Sequence, residues 1–248
     1  MPEARNTKAK RRPPGRKRIQ VSSVEKTTAS LLKELRRLLA ARDFEDVSIA
    51  QLTGEAGCSI GAFYGRFENK IAFLTFASSV SFGQASGTLQ KRLSALAGSS
   101  RSVRDVCDAQ VNDLIDLFAD AEFAGMLRAT IKLGFSDPSF RLSYDRFRTG
   151  VLDRLTDTVS DAVDAETMDG LHVRMRVVLS ALTDNALVTD RSDQLSQDQL
   201  LEVLPPLLVS GLSKRLKVTV TDSPDDAAQD VVVPQKVPTS RKRRPRKI

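Results

Sequence analysis

The stretch SIAQLTGEAGCSIGAFYGRF, Ser48 to Phe67, limits the fold of this chain more than any other. Ser48 and Ser59 each stand just before a short run with helical apolar spacing, where a serine hydroxyl can accept the free N–H groups of a first helical turn. Gln51 follows Ser48 by three residues, the spacing of a capping box. Ala56-Gly57 offers a terminus, because glycine takes the positive φ that closes a helix without a Cβ penalty. The pattern predicts one helix from Ser48 to Gly57, a four-residue turn, and a second helix from Ile60 to about Phe67. Twenty residues of helix, turn and helix have the size and punctuation of a helix-turn-helix.

The flanks are helical too. Upstream, Val24, Thr28, Leu31, Leu32, Leu35, Leu38 and Leu39 recur at three and four, the stripe of an amphipathic helix that Ser22 or Ser23 caps and Arg42-Asp43 closes. Downstream, helices are expected near 70–97, 102–119, 122–134, 138–164, 166–190 and 197–216, separated by short breaks rich in Gly, Ser, Asp and Pro. Pro205-Pro206 falls inside the last of these and is expected to bend or split it near Leu204. Sustained alternation is missing outside two short valine runs near the C-terminus, so the expected class is all-α with about nine helices.

Charge divides the chain more sharply than hydropathy does. Residues 1–20 carry a formal +7 and residues 217–248 carry +4, whereas 21–70 are neutral and 71–216 are −4. Residues 1–22, with three prolines and no aromatic, read as a disordered basic arm, and 217–248 as a disordered tail ending in a second basic run. Between them, 23–70 form the helix-turn-helix domain and 71–216 a helical domain. On charge alone such tails are either solvated chain or a grip on a polyanion. No apolar run is long enough to span a membrane and no apolar leader follows the basic start, so the expected location is the cytoplasm. Cys58, Cys107 and His172 cannot assemble a standard zinc site, and no cofactor is expected.

The run from Thr27 to Leu74 resembles the N-terminal domain of the tetracycline-repressor (TetR) family of bacterial transcription regulators. The resemblance is carried by Ser48 as cap, Leu52-Thr53 and Ala56-Gly57 in the first helix and turn, and the spaced Phe63-Tyr64, Phe67 and Lys70. Two departures are mild: Leu52-Thr53 stands for the family's Ile-Ala, and Cys58 for its usual valine.

The resemblance implies phosphate contacts from Tyr64 and Lys70 and a backbone approach at Ser48. Base reading would then come from Ser59, Ile60, Gly61, Ala62 and Arg66. Ile60 and Ala62 suit thymine methyls, and Gly61 admits the backbone to the groove floor. Lys70 begins the following helix, where a cation opposes the dipole and calls for compensation that a phosphate would supply. Phe63 and Phe67 face inward as anchors. The arm RRPPGRKR, with Arg11, Arg12, Arg16 and Arg18, looks like the minor-groove arms that precede helical DNA-binding domains. The last two long helices would form a homodimer interface through Leu171, Met175, Val178 and Leu182, so that two recognition helices reach successive major grooves of a near-palindromic operator. An effector pocket is expected among helices 70–164, with Phe118, Met126, Arg128, Tyr144 and Phe147 as candidate contacts.

The function implied is a dimeric, sequence-specific DNA-binding regulator, a repressor released by a small molecule. A regulator that activates, or a non-specific nucleoid-like DNA-binding protein, is the alternative. An enzyme is disfavoured, because one histidine, two distant cysteines and no phosphate loop provide no catalytic set.

Overall fold

A computed structural model describes residues 20–97, 102–135, 140–188 and 192–212. Nine α-helices are present among them, with no strand: α1 (Gln20–Leu39), α2 (Ile49–Glu55), α3 (Ile60–Tyr64), α4 (Lys70–Ala97), α5 (Val103–Ala119), α6 (Ala121–Gly134), α7 (Arg141–Val159), α8 (Ala165–Leu187) and α9 (Gln197–Val209). Short 3-10 turns at Phe44–Asp46 and Ser160–Ala162 follow α1 and α7. The arm arginines Arg11, Arg12, Arg16 and Arg18 and the basic C-terminal run lie outside the described residues.

Local chemistry sets most of the boundaries. Asp120 closes α5 and caps α6, its carboxylate accepting from the Phe123 amide at 2.8 Å. Ser102 with Asp105, and Ser196 with Gln199, form reciprocal capping boxes at α5 and α9. Asn69 caps α4 by accepting from the Ala72 amide at 2.8 Å.

Several expectations need correction. Helix α1 is already formed at Gln20, so Ser22 and Ser23 lie inside it and not at its start. Its apolar spacing continues upstream to Val21, which explains the earlier start. Helix α3 ends at Tyr64, where the poor helix former Gly65 becomes the cap, and not at Phe67. Helix α7 is shorter than 138–164, giving way to the 3-10 turn at Ser160. Helix α9 stops at Val209, with Gly211 at φ +81° just beyond, and it runs through Pro205-Pro206 without a break. The carbonyls that those prolines leave without an amide belong to Leu201 and Glu202, both exposed, so water can satisfy them. Leu200, Leu204 and Leu208 meanwhile bury the opposite face.

Two apolar clusters form among the described residues. The N-terminal one gathers Leu31, Leu35, Leu38 and Leu39 of α1, Phe44, Val47, Leu52, Phe63 and Phe67 with part of α4 and α6. The other joins the rest of α4 and α6 to α5, α7, α8 and α9. Helix α4 places Phe73, Leu74, Phe76 and Ala77 in the first cluster and Phe82, Ala85, Leu89 and Leu93 in the second. Helix α6 turns Met126 and Ala129 to the first and Phe123, Ala124 and Leu127 to the second. Both helices are therefore shared walls, and displacement of either is felt on both sides because packed interiors transmit strain.

The contacts between α1 and these walls are specific. At Gly125, buried in α6, an added Cβ would collide with the Leu39 carbonyl, so the two backbones meet directly. Arg36 of α1 donates to Ser81 Oγ at 3.0 Å and to Gln84 Oε1 at 2.6 Å on α4. Lys132 of α6 reaches Asp43 at 3.2 Å and Glu45 at 3.3 Å, in the connection between α1 and α2.

Candidate nucleic-acid interface

The helix-turn-helix is built by capping at both helix starts and by a glycine at the turn. Ser48 Oγ accepts from the Gln51 amide, and Ser59 Oγ from the Ala62 amide, each at 3.1 Å. The box at Ser48 is only half formed, because the Gln51 side chain reaches forward to Glu55 at 2.9 Å instead of back to the cap. Between the helices Gly57 sits at φ +67°, its amide donates to the Gly54 carbonyl at 3.2 Å, and the Cys58 amide donates to Thr53 at 2.9 Å. That pair of bonds is a Schellman closure, and it demands glycine in the left-handed position.

Helix α3 has two unlike faces. Phe63 is wholly buried and Phe67 nearly so, their rings 5.6 Å apart, and both lie against Phe73, at 5.5 and 4.7 Å. Phe67 also meets Phe76 at 5.5 Å. On the opposite face Ile60 is 47% and Tyr64 43% exposed, and Ser59 and Gly61 are exposed beside them. Ser48 is exposed as well, while Ala62 is half-buried. The Tyr64 ring stands edge-on to Phe63 at 5.4 Å, which orients its hydroxyl from below.

Two cations expected to face DNA are engaged inside the fold. Arg66 is half-buried and folds back on α3, where Nη1 donates to the Ala62 carbonyl at 2.6 Å. Lys70 donates through Nζ to the carbonyls of Phe44 and of Glu45, the second at 3.2 Å, and lies 4.2 Å from the centre of the Phe44 ring. Burial lowers the pKa of its ammonium, with the nearby Glu45 and Asp46 opposing that shift. The compensation that a lysine at a helix start calls for is thus internal, and the need for compensation no longer points to a phosphate.

The expected dimer contacts lie elsewhere than at a surface. Leu171, Met175, Val178 and Leu182 are at most 1% exposed and belong to the core of the single chain. Helical spacing identified one stripe of α8 without saying which way it faces. The outward stripe carries Val173 and Val177, both exposed, and α9 presents exposed Val203 and Leu207.

The expected effector contacts divide in a similar way. Phe118, Tyr144 and Phe147 are buried in an aromatic group with Phe82 and Phe123, all neighbouring ring centres lying 5.1–6.1 Å apart. The Tyr144 hydroxyl is hydrogen-bonded to Thr183, and burial raises its pKa. Met126 sits in the N-terminal cluster, touching Ser78 Oγ through its sulfur at 3.6 Å, and so does not join the others. Arg128 is half-buried and donates to the Ala186 carbonyl at 3.3 Å. Together with Phe118 it lines a cavity of about 790 Å³, whose far wall is formed by the residues just after α1.

Other reactive groups are quiet. Burial pushes the Cys107 thiol up to about 12, and the His172 ring is bonded to Thr156. Among the described residues no group of three or more His, Cys, Asp or Glu is placed to hold a metal, and no helix is long and apolar enough to cross a membrane.

Comparison with known proteins supports the geometry. Residues 31–75 match the family model of bacterial regulatory proteins of the tetR family. No curated protein sequence matches the chain. Among solved structures, a TetR-family transcriptional regulator of Mesorhizobium loti superposes with a TM-score of 0.61 at 13% identity, covering 75% of this chain and 95% of its own. The fatty acid degradation regulator FadR of Bacillus halodurans gives 0.56 at 16%, covering 84% and 100%. The transcriptional regulator FadR of Bacillus subtilis, in complex with stearoyl-CoA, gives 0.55 at 15%, covering 75% and 99%. At these identities the structural likeness shows the fold alone: residues 31–75 match the tetR-family model, and they are set on an all-α fold similar to that of solved TetR-family transcriptional regulators.

Proposed function

We propose that this protein is a dimeric, sequence-specific DNA-binding repressor that a small molecule releases from its operator. The observation that carries the reading is the two-faced α3: a wholly buried Phe63 fixes the helix, and its outer side offers Ser59, Ile60, Gly61 and Tyr64 to a groove. The Ser48 and Ser59 hydroxyls accept cap bonds and still have a hydrogen to donate to a phosphate. Ile60 suits a thymine methyl, and the lack of a side chain at Gly61 allows close backbone approach. With Arg66 and Lys70 engaged internally, the described part of this face supplies few charged contacts. Affinity then rests on the arm arginines Arg11, Arg12, Arg16 and Arg18, and discrimination on methyl contacts and DNA shape.

Dimerisation supplies the second half-site. Val173 and Val177 on α8 with Val203 and Leu207 on α9 give a second copy an apolar surface on two helices that already pack together. Two recognition helices joined this way address a near-palindrome. Release by a ligand is supported by the shared walls α4 and α6 and by the ligand-bound FadR of the same fold.

The test is selection of duplexes from a random pool by the full-length chain, followed by competition of the enriched duplex against random DNA at physiological salt. An enriched, near-palindromic site preferred by about a thousandfold or more is expected. Equal affinity for both duplexes would contradict specific regulation and favour the non-specific alternative.

A further inference from the structure

Helices α8 and α9 are tied into one surface, because Arg174 of α8 donates through Nε to the Leu208 carbonyl of α9 at 2.9 Å. Val173 and Val177 stand outward on the first helix, Val203 and Leu207 on the second. A polar feature of the backbone lies beside this apolar set. Pro205 and Pro206 bring no amide hydrogen, so the carbonyls of Leu201 and Glu202 lack the donor that a helix normally supplies four residues on. Both residues are exposed, immediately before Val203.

Two freed carbonyls discriminate among occupants of this face. A partner that covered Val203 and Leu207 with apolar side chains alone would strip water from these oxygens and return no hydrogen bond. A fitting partner brings donors. Arg176 is exposed on α8, three residues after Val173 and one before Val177, and it makes no hydrogen bond or ion pair among the described residues. A guanidinium carries five donors and no acceptor, the complement of a pair of carbonyls.

The other charges on the two helices sharpen the match. Arg174 and His172 are half-buried and engaged with Leu208 and Thr156. Every other charged residue of the pair is an exposed acid: Glu166, Asp169 and Asp184 on α8, Asp198 and Glu202 on α9. Arg176 is therefore the one exposed cation on a surface that is otherwise acidic. Glu202 sits at the freed carbonyls themselves, so charge and hydrogen bonding draw a guanidinium to the same spot. Donor and acceptors belong to one chain, which makes the surface complementary to a copy of itself under a two-fold axis.

We propose that the α8–α9 face binds a second copy of this chain, and that Arg176 of each copy caps the Leu201 and Glu202 carbonyls that the prolines free in the other. The inference rests on the dimer reading above and adds the polar contact that makes the pairing selective. Two prolines inside α9 thereby gain a use: they expose acceptors that a wholly apolar partner cannot satisfy.

The test is a double-mutant cycle on the dimer dissociation constant of the full-length chain without DNA, measured by sedimentation equilibrium, with circular dichroism checking helix content. Arg176→Met keeps an apolar stem and removes the donors, and is expected to weaken the dimer about tenfold or more. Pro205→Ala combined with Pro206→Ala returns two amides and closes both carbonyls inside α9. In that background Arg176→Met is expected to weaken the dimer by no more than about threefold, the share left to the Glu202 carboxylate. An unchanged dissociation constant in Arg176→Met, or an equal loss in both backgrounds, overturns the cap. Val177→Glu separates this contact from the interface that carries it. A dimer that Val177→Glu dissociates and Arg176→Met does not keeps the interface and loses the cap. A dimer indifferent to both substitutions, or a chain monomeric throughout, overturns the dimer reading and the cap together.

Discussion

The helix-turn-helix and the α8–α9 pair both place apolar side chains on helices, yet they use them in opposite ways. In the first, the large side chains Phe63 and Phe67 turn inward and leave a small, sparsely polar outer face. In the second, the regular stripe Leu171, Met175, Val178 and Leu182 also turns inward, and a second, sparser apolar set, Val173, Val177, Val203 and Leu207, remains outside. A recognition helix needs a rigid base and a surface that DNA can approach. A dimer face needs apolar area that its own subunit has not already consumed.

The largest expected effect removes the rigid base. Phe63→Ala deletes a wholly buried ring that meets Tyr64, Phe67 and Phe73, and should cost about 3–5 kcal/mol in urea unfolding. A cost below about 1 kcal/mol would show that α3 is not held by this cluster. Next is the joint between the two regions. Gly125→Val drives a side chain into the Leu39 backbone and should destabilise by about 1–3 kcal/mol, whereas Gly87→Ala, with open space in mid-α4, should stabilise by up to about 1 kcal/mol. Equal effects from the two substitutions would break the claim that α6 and α1 meet backbone to backbone.

The outer face of α8 gives a smaller effect on folding and a clear one on assembly. Val177→Glu should leave the chain folded and shift its mass in sedimentation from dimer toward monomer, while Met175→Glu, two residues away but wholly buried, should unfold it. A Val177→Glu protein that remains dimeric would move the interface elsewhere.

The two cysteines give the smallest contrast. Cys58 is half-buried at the turn and Cys107 wholly buried in the second cluster, so a thiol-exchange reagent at pH 8 should label Cys58 first. The pH dependence has a definite sign. The Cys107 thiol is raised from 9.0 to about 12 in the folded chain, so its contribution to stability is complete below pH 9 and is lost as pH rises from 9 toward 12. Over that interval wild type should lose about 1.4 kcal/mol per pH unit relative to Cys107→Ala. A constant difference would mean that the thiol ionises alike in both states.

The sequence showed the helix-turn-helix almost completely, because its determinants are local. Two serines, one glycine at positive φ and phenylalanines four apart each act within a single turn. It showed the number of helices for the same reason, through caps such as Asp120 and Ser196. What it hid depends on long-range placement. Periodicity marked the stripe of α8 but not the direction it faces. The lysine at the start of α4 looked uncompensated because the Phe44 ring and carbonyls that receive it lie in another turn. Gly125 and Lys132 gave no signal at all: a glycine's reason is the backbone that passes it, and an ion pair across eighty-seven or eighty-nine residues has no local spacing. Even the prolines of α9 misled, since whether a freed carbonyl breaks a helix depends on whether it faces water.

The most direct measurement is parallel duplex selection by the wild type and by Ile60→Ala, with thermal unfolding of both. Ile60 is 47% exposed at the start of α3, so its loss should leave the unfolding temperature within about 2 °C and change the preferred base at one position of each half-site. The same enriched sequence from both proteins, with stability equally preserved, would contradict the claim that the outer face of α3 reads DNA.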